Sequence, residues 1–72
     1  MDKYKVLIAD DSERENSFIE IWFDYKLIAE ITNENNSICI NFFDVKDLNL
    51  DFNDFFTMVN NIQVNLIEKI QK

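Results

Sequence analysis

The 72-residue chain contains no glycine, no proline and no histidine, and its single cysteine is Cys39. Without glycine it lacks the Gly-rich loops that bind phosphate groups, and without proline it lacks the Pro-rich linkers that separate domains. One cysteine excludes an internal disulfide and a cysteine-based metal site, which is typical of a reducing cytoplasm. We expect no membrane span, which needs an apolar run of ~20 residues, and the short apolar run after Lys5 does not resemble a signal peptide.

The residues that usually carry catalysis are missing as well. There is no histidine to act as a general base, Cys39 lies within a predicted strand, and no serine has a visible base partner. Carboxylates are numerous, but a chain of this length has little room for a cleft that would hold two of them together. We therefore expect no enzymatic activity, no cofactor and no metal ion.

Acidic residues outnumber basic ones, 14 to 7, and the formal net charge is −7. Such a charge argues against direct binding to nucleic acid or to an anionic membrane and favours a cationic partner, although it also serves solubility. Seven Phe, two Tyr and one Trp supply this short chain with large side chains for one core. Because the sequence shows no boundary, residues 1–72 are expected to form a single domain.

The central stretch from Phe18 to Thr32 predicts a β-hairpin, because both arms are rich in Ile, Phe, Trp and Thr. A three-residue loop at 24–26 places a wholly apolar set of side chains on one face: Ile19, Ile21, Phe23, Leu27, Ala29 and Ile31. The other face then carries Phe18, Glu20, Trp22, Ile28, Glu30 and Thr32. A one-residue slip would bury a charge, which favours this register.

Two further strands flank the hairpin. Tyr4–Ala9 alternates, but both of its faces are mostly apolar, so its inward face stays open. After a polar turn at 33–36, Ser37–Phe43 is expected to pair with the hairpin, with Ile40 beside Ala29. This strand adds Ile38, Ile40 and Phe42 to the apolar face and Cys39, Asn41 and Phe43 to the other.

An amphipathic helix follows the sheet. Asp51 is a suitable N-cap, and Leu50 and Phe55 have the spacing of a hydrophobic staple. Apolar residues recur at steps of three and four: Phe52, Phe55, Phe56, Val59, Ile62, Leu66 and Ile70. About 20 helical residues would extend roughly 30 Å, enough to cross one face of a four-stranded sheet. The predicted fold is therefore α+β, a four-stranded antiparallel meander with one C-terminal helix packed on one face, in the order ββββα.

In this fold nothing in the chain is expected to cover the second face of the sheet. Large aromatic side chains among carboxylates on such a face indicate a docking surface for a protein partner. The candidate partner-binding residues, which include three carboxylates of the adjacent loop, are Asp10, Asp11, Glu13, Phe18, Glu20, Trp22, Glu30, Asn41 and Phe43. The same face could instead join two copies in a homodimer, or Trp22 could merely support the sheet.

Residues 6–12, VLIADDS, resemble the first strand and acidic pair of response-regulator receiver domains, in which adjacent carboxylates bind magnesium. A receiver domain needs a doubly wound parallel sheet and far more chain than this one has. If this resemblance governed the fold, residues 18–23 would be helical rather than extended.

The order of segments along most of the chain is similar to that of small acidic immunity proteins: YKVLIADDSEREN, FIEIWFDYKLIAEI, and LDFNDFF at the start of the helix. These proteins accompany polymorphic toxins of the contact-dependent inhibition and Rhs types. They tend to have Gly at the hairpin tip, where this chain has Tyr25 and Lys26. The resemblance implies a sheet with a flanking helix, no enzymatic activity, and tight binding to a cognate toxin domain, often a nuclease of tRNA or other RNA.

A nuclease site is cationic because it binds phosphates, so a carboxylate-rich protein can be attracted to it and occupy it. We therefore expect a cytoplasmic immunity protein that neutralises a basic toxin domain without itself contacting nucleic acid or a membrane. The alternative is an acidic nucleic-acid mimic, or a phage-type inhibitor of a DNA-binding protein. Its carboxylates should form an elongated strip instead of a cluster around aromatics.

Overall fold

A computed structural model describes residues 3–71 and shows four strands followed by a helix. The elements are β1 (Tyr4–Ala9), β2 (Phe18–Phe23), β3 (Lys26–Glu34), β4 (Ser37–Phe42) and α1 (Phe52–Asn65), with a 3-10 turn at Ile67–Lys69. The strands are antiparallel and lie in the order β1-β2-β3-β4. The predicted ββββα arrangement is thus confirmed. Because β2 is extended, the consequence drawn from the receiver-domain resemblance is wrong.

The core lies between α1 and one face of the sheet, which we call the helix face. Its fully or almost fully buried side chains are Ile19, Ile21, Ile28, Ala29, Ile31, Met58, Ile62, Ile67 and Ile70. Pairing of Val6 with Ile21 also settles the face of β1, which the sequence left open. Since side chains alternate along a strand, Val6 lies on the helix face and Leu7 lies on the opposite one. We call that opposite side the open face.

The turn between β2 and β3 has two residues, so the predicted three-residue loop is wrong. Asp24 and Tyr25 have φ values of 51° and 68°, as a type I′ turn requires at both positions. The register shifts between Ile21 and Trp22, which leaves Ile28 as the extra residue of a bulge. The bulge moves Ile28 into the core and aligns Leu27 with Trp22. Ile28 therefore lies on the helix face and Leu27 on the opposite face, which reverses the prediction for both residues.

Replacing Tyr25 with glycine is expected to stabilise the protein by roughly 0.5–1 kcal/mol. A left-handed conformation costs an L-residue about 1–2 kcal/mol, and glycine's extra freedom in the unfolded chain offsets part of the gain. The Tyr25 side chain is 96% exposed, so little packing is lost. Urea denaturation measures the difference. Tyr25→Ala, which keeps the Cβ atom, should show no such gain, and equal stability of the two variants would contradict this explanation.

The turn between β3 and β4 is also shorter than predicted. Asn35 and Asn36, with φ values of 54° and 70°, form it alone. Ile40 consequently pairs with Ile31 instead of Ala29, a shift of two residues. A shift of two leaves every side chain on its predicted face, because the side-chain period of a strand is two.

The helix begins as predicted, but it covers less of the sheet. Asp51 is the N-cap, and its carboxylate accepts a hydrogen bond of 3.0 Å from the backbone N–H of Asp54. The apolar stripe was expected to bury Phe52 and Phe56, and this is wrong: they are 77% and 63% exposed. The α1 residues of the core are instead Met58 and Ile62.

The helix-face residues of β4 were also expected in the core, and this is wrong as well. Ile38, Ile40 and Phe42 are 38%, 43% and 52% exposed. No helix within residues 3–71 has the length and apolar character needed to cross a membrane.

The Tyr4 hydroxyl is buried and has no hydrogen-bond partner among residues 3–71. Burial, and then the charges of Asp54 and Asp51, raise the pKa of Tyr4 above its usual value of 10.0. The folded state therefore holds this proton more tightly than the unfolded state does. The contribution of the protonated Tyr4 hydroxyl to the free energy of unfolding is fully present below pH 10. It is lost as the pH rises towards the folded-state pKa. Tyr4→Phe should flatten this alkaline decline in urea denaturation curves, and an unchanged pH profile would contradict the assignment.

Candidate functional site

The open face brings together the central residues of the predicted surface. Trp22 and Glu20 alternate along β2, Glu30 is opposite Glu20 on β3, and Asn41 of β4 is opposite Glu30. Phe43 follows the end of β4, where its backbone N–H donates a 2.9 Å hydrogen bond to the carbonyl of Ile28. It therefore lies at the end of the sheet away from the loop at 10–17.

Glu20 and Glu30 are directly opposite each other, which places two like charges side by side in the middle of the sheet. Such a pair is destabilising unless a cation compensates it. Arg14 supplies one, since its guanidinium donates to both oxygens of Glu30 at 2.9 and 3.5 Å. Within residues 3–71, Glu20 has only a neutral donor, the indole N–H of Trp22 at 3.2 Å. The pair thus retains one uncompensated negative charge.

The loop at 10–17 folds over one end of the open face, which the sequence did not predict. The Arg14 guanidinium lies 4.0 Å from the centre of the Phe18 ring. Asn16 donates a side-chain hydrogen bond of 3.4 Å to the carbonyl of Asn33. As a result Phe18 and Thr32 are only 6% and 5% exposed. Phe18 has the predicted orientation, but its predicted exposure is wrong because the loop covers it.

Local hydrogen bonds give the acidic loop a defined shape. Ser17 donates its hydroxyl hydrogen to the carboxylate of Asp10. Asp11 accepts a hydrogen bond of 3.0 Å from the backbone N–H of Glu13, and its carbonyl accepts one of 2.9 Å from the N–H of Arg14. The predicted site residues Asp10, Asp11 and Glu13 are all exposed. Their carboxylates are therefore presented by an ordered turn at the edge of the open face.

The other end of the open face is more apolar and remains accessible. A depression of about 590 Å³ is lined by Lys3, Tyr4, Lys5, Leu7, Trp22, Asp24 and Tyr25. Trp22 is half-buried and Leu7 is 39% exposed. Leu7 and Tyr25 were absent from the predicted site, because the face of β1 and the turn geometry could not be read from the sequence. This end has the exposed apolar area that the buried Phe18 does not provide.

A second depression, of about 360 Å³, lies between the loop and β3. Its lining includes the carboxylate residues Glu13, Glu15, Glu30 and Glu34, and one cation, Arg14. With Asp10, Asp11 and Glu20 these make seven carboxylates on the loop and the open face, half of the 14 in the chain. Since Arg14 is already paired with Glu30, this region keeps a strong negative charge.

Removing the guanidinium of Arg14 should loosen the loop and destabilise the fold. The Glu30 side chain is only 12% exposed, so Arg14→Ala would leave a largely buried carboxylate without its cation. We expect the melting temperature to fall by a few degrees. In that background Glu30→Gln should recover part of the loss, whereas in the wild type it should be destabilising. The same effect of Glu30→Gln in both backgrounds would show that the two side chains are not coupled.

Comparison with protein-family models, curated proteins and solved structures finds no match for this chain. Within residues 3–71, no group of three or more Cys, Asp or Glu side chains is placed to hold a metal ion. The open face carries carboxylates at the end next to the loop and the half-buried Trp22 at the other end.

Proposed function

We propose that this chain is an immunity protein that binds a cognate toxin domain in the cytoplasm and neutralises it. The toxin would be basic, most simply a nuclease acting on tRNA or other RNA. The chain would act stoichiometrically, by occupying the toxin's cationic surface and excluding its substrate, without catalysis. Its similarity in segment order to small acidic immunity proteins and the geometry of its open face support the same proposal.

The opposed pair Glu20 and Glu30 is the observation that carries it. For stability alone the arrangement is unfavourable, because like charges face each other and only Glu30 has a cation. A Lys or Arg side chain of a partner, placed against Glu20, would supply the missing charge. Residues that lower stability in the free protein are expected where a surface is shaped for binding.

The surroundings of this pair suit a protein partner with a basic site. Trp22 and Leu7 offer apolar area beside the carboxylates, and buried aromatics usually supply most of the affinity of an interface. The carboxylates of the loop would attract a basic protein at long range and raise the association rate. Lys5 borders the Trp22 end, so the partner should be most basic where it meets the loop.

The position of the carboxylates favours a toxin over a nucleic-acid-binding protein as the target. A nucleic-acid mimic needs charges spaced along a strip, as phosphates are along a strand. Here seven carboxylates gather at the loop and the adjoining part of the sheet, and one of them, Glu20, accepts a hydrogen bond from Trp22. A compact cluster of charge with an aromatic side chain at its border matches a compact cationic site better than a groove for a duplex.

Co-expression with the product of the neighbouring reading frame tests the proposal. The neighbouring protein is expected to stop growth when expressed alone, and this chain is expected to restore growth and co-purify with it at a 1:1 ratio. Inhibition of the purified toxin domain should then be complete at equimolar amounts. A harmless neighbour, or a toxic one that this chain neither binds nor inhibits, would contradict the proposed function.

A further inference from the structure

Five large, exposed apolar side chains lie together on the helix side of the molecule, away from the open face. They are Ile38, Ile40 and Phe42 of β4 and Phe52 and Phe56 of α1, which we call the β4–α1 surface. Their exposed fractions range from 38% to 77%. The rings of Phe52 and Phe56 stack on each other with centroids 6.3 Å apart, so they form one ordered ridge.

Both parts of this surface lie on the β4 side of the helix layer. Asp54 lies near Tyr4 on the β1 side of α1. Phe52 and Phe56 are each about 200° around the helix axis from Asp54, so they turn away from β1 and towards β4. Pairing of Ile40 with Ile31 places the exposed row of β4 on this same helix face. The helix covers β2 and β3 and leaves the row uncovered.

The backbone of β4 is free to pair as well. The hydrogen bond between Phe43 and Ile28 sets the alternation of bonded pairs, and it leaves the N–H and C=O groups of Ile38, Ile40 and Phe42 on the outer edge. Proteins usually protect such an edge with a charged residue, a proline or a bulge in the edge strand. Ser37–Phe42 contains no charged residue and no proline. An edge strand without such protection is expected where the strand pairs with a strand of another chain.

The net charge of the chain and the exposed area of the β4–α1 surface indicate which molecule covers this surface. The chain has a net charge of −7, so two copies repel each other wherever their charges meet. The β4–α1 surface is uncharged, and its neighbours on the same flank of α1 include the neutral Asn60 and Gln63. At about 200 Å² per large side chain, its exposed fractions amount to roughly 500 Å² per copy. Complete coverage of these side chains in both copies would bury about 1,000 Å², the area at which specific interfaces begin.

We propose that a second copy of this chain occupies the surface, pairing β4 with β4 in an antiparallel dimer. A two-fold axis perpendicular to the sheet would pass beside Ile40, so that Ile40 pairs with Ile40 and Ile38 pairs with Phe42. The result is one eight-stranded sheet with both helices on the same face. Phe52 and Phe56 of each copy then flank a shared apolar row. Both open faces stay exposed on the far side, so the dimer is independent of the proposed toxin binding and would present two sites.

Molar mass in solution tests the dimer. Light scattering across a concentration series should give twice the 8.6 kDa of the monomer at the highest concentrations. Ile40→Pro removes an outward-pointing N–H, which an edge strand tolerates, and Phe56→Lys adds charge at a site that is 63% exposed. Both variants should stay folded by circular dichroism and remain monomeric. Val64→Lys, about 80° around the helix from Phe56 on the side of α1 that faces away from the sheet, is 65% exposed; it is the matched control and should still dimerise. A monomeric wild type, or a dimer unaffected by Ile40→Pro and Phe56→Lys, would overturn the proposal.

A cross-link tests the register. If Ile40 pairs with Ile40, Cys39 of one copy is opposite position 41 of the other in a non-bonded pair, where Cα atoms are about 4.5 Å apart. This distance is within the range for a disulfide. Asn41→Cys should therefore form a covalent dimer on mild oxidation, and Asn41→Cys combined with Cys39→Ser should not. Equal cross-linking in the two variants would exclude this register.

Discussion

A double variant carrying Trp22→Ala and Glu20→Lys is expected to lose protection against the toxin while remaining folded. Truncation of a central aromatic residue at an interface typically costs 2 kcal/mol or more. Charge reversal at Glu20 would place a cation against the partner's basic site, which adds repulsion and slows association. We expect the two substitutions together to lower the affinity for the toxin domain about 1,000-fold. Calorimetry with the purified toxin domain, at fixed ionic strength, measures the change.

A matched variant on the other side of the molecule controls for general effects of charge and truncation. Val64→Ala with Glu68→Lys changes one apolar and one acidic side chain, both exposed, at the helix end of the chain. It should bind and protect like the wild type. If the Trp22 and Glu20 variant binds normally, or if both double variants lose affinity equally, the open face is not the binding site.

Ile62→Ala is expected to have the largest effect on stability. Ile62 is 1% exposed and lies in the core between α1 and the sheet. Truncating such a residue to alanine costs about 2–5 kcal/mol, whereas a core of this size rarely supplies more than about 3–5 kcal/mol in total. Much of the variant should therefore be unfolded at 25 °C. Circular dichroism in a urea series measures it.

Val64→Ala is the control for the core variant, because Val64 lies on the same helix but is 65% exposed. It should change the urea midpoint very little, since alanine has a higher helix propensity and little contact area is lost. A loss of stability at Ile62 no greater than that at Val64 would mean that α1 does not pack on the sheet as described.

The order of elements could be predicted because the local patterns agree with the global fold. The alternation in β2 has one wholly apolar parity, Ile19, Ile21 and Phe23, so only one register avoids burying Glu20. The N-cap at Asp51 could be predicted for a similar reason, because an acidic residue directly precedes the apolar periodicity of the helix. These features are local, and they need no knowledge of the rest of the molecule.

The turn lengths could not be predicted because the usual signal is missing. Two-residue type I′ turns are recognised by glycine, and this chain makes both of its turns without it. The bulge at Ile28 could not be predicted from the sequence, for a different reason. Leu27, Ile28 and Ala29 are all apolar, so the sequence pattern does not distinguish which of them points into the core.

Helix placement and loop packing depend on distant contacts, which periodicity does not contain. A broad apolar stripe predicts an inward side, but it could not show that α1 would turn Phe52 and Phe56 away from the core. The loop was predicted as a solvated connection because it is polar. One residue pointed to its true position: Arg14 is the only cation among the acidic residues of the segment at 10–17, and it pairs with Glu30 on the sheet.

The most direct test of the central claim is a map of the surface that the partner covers. With the chain isotopically labelled and the toxin domain unlabelled, backbone amide shifts and hydrogen exchange can be compared before and after complex formation. The proposal predicts that the changes cluster at Glu20, Trp22, Glu30 and the opposed Asn41 and along the loop at 10–17, with the ridge of Phe52 and Phe56 unaffected. Changes confined to that ridge and β4, with Glu20 and Trp22 unperturbed, would contradict it.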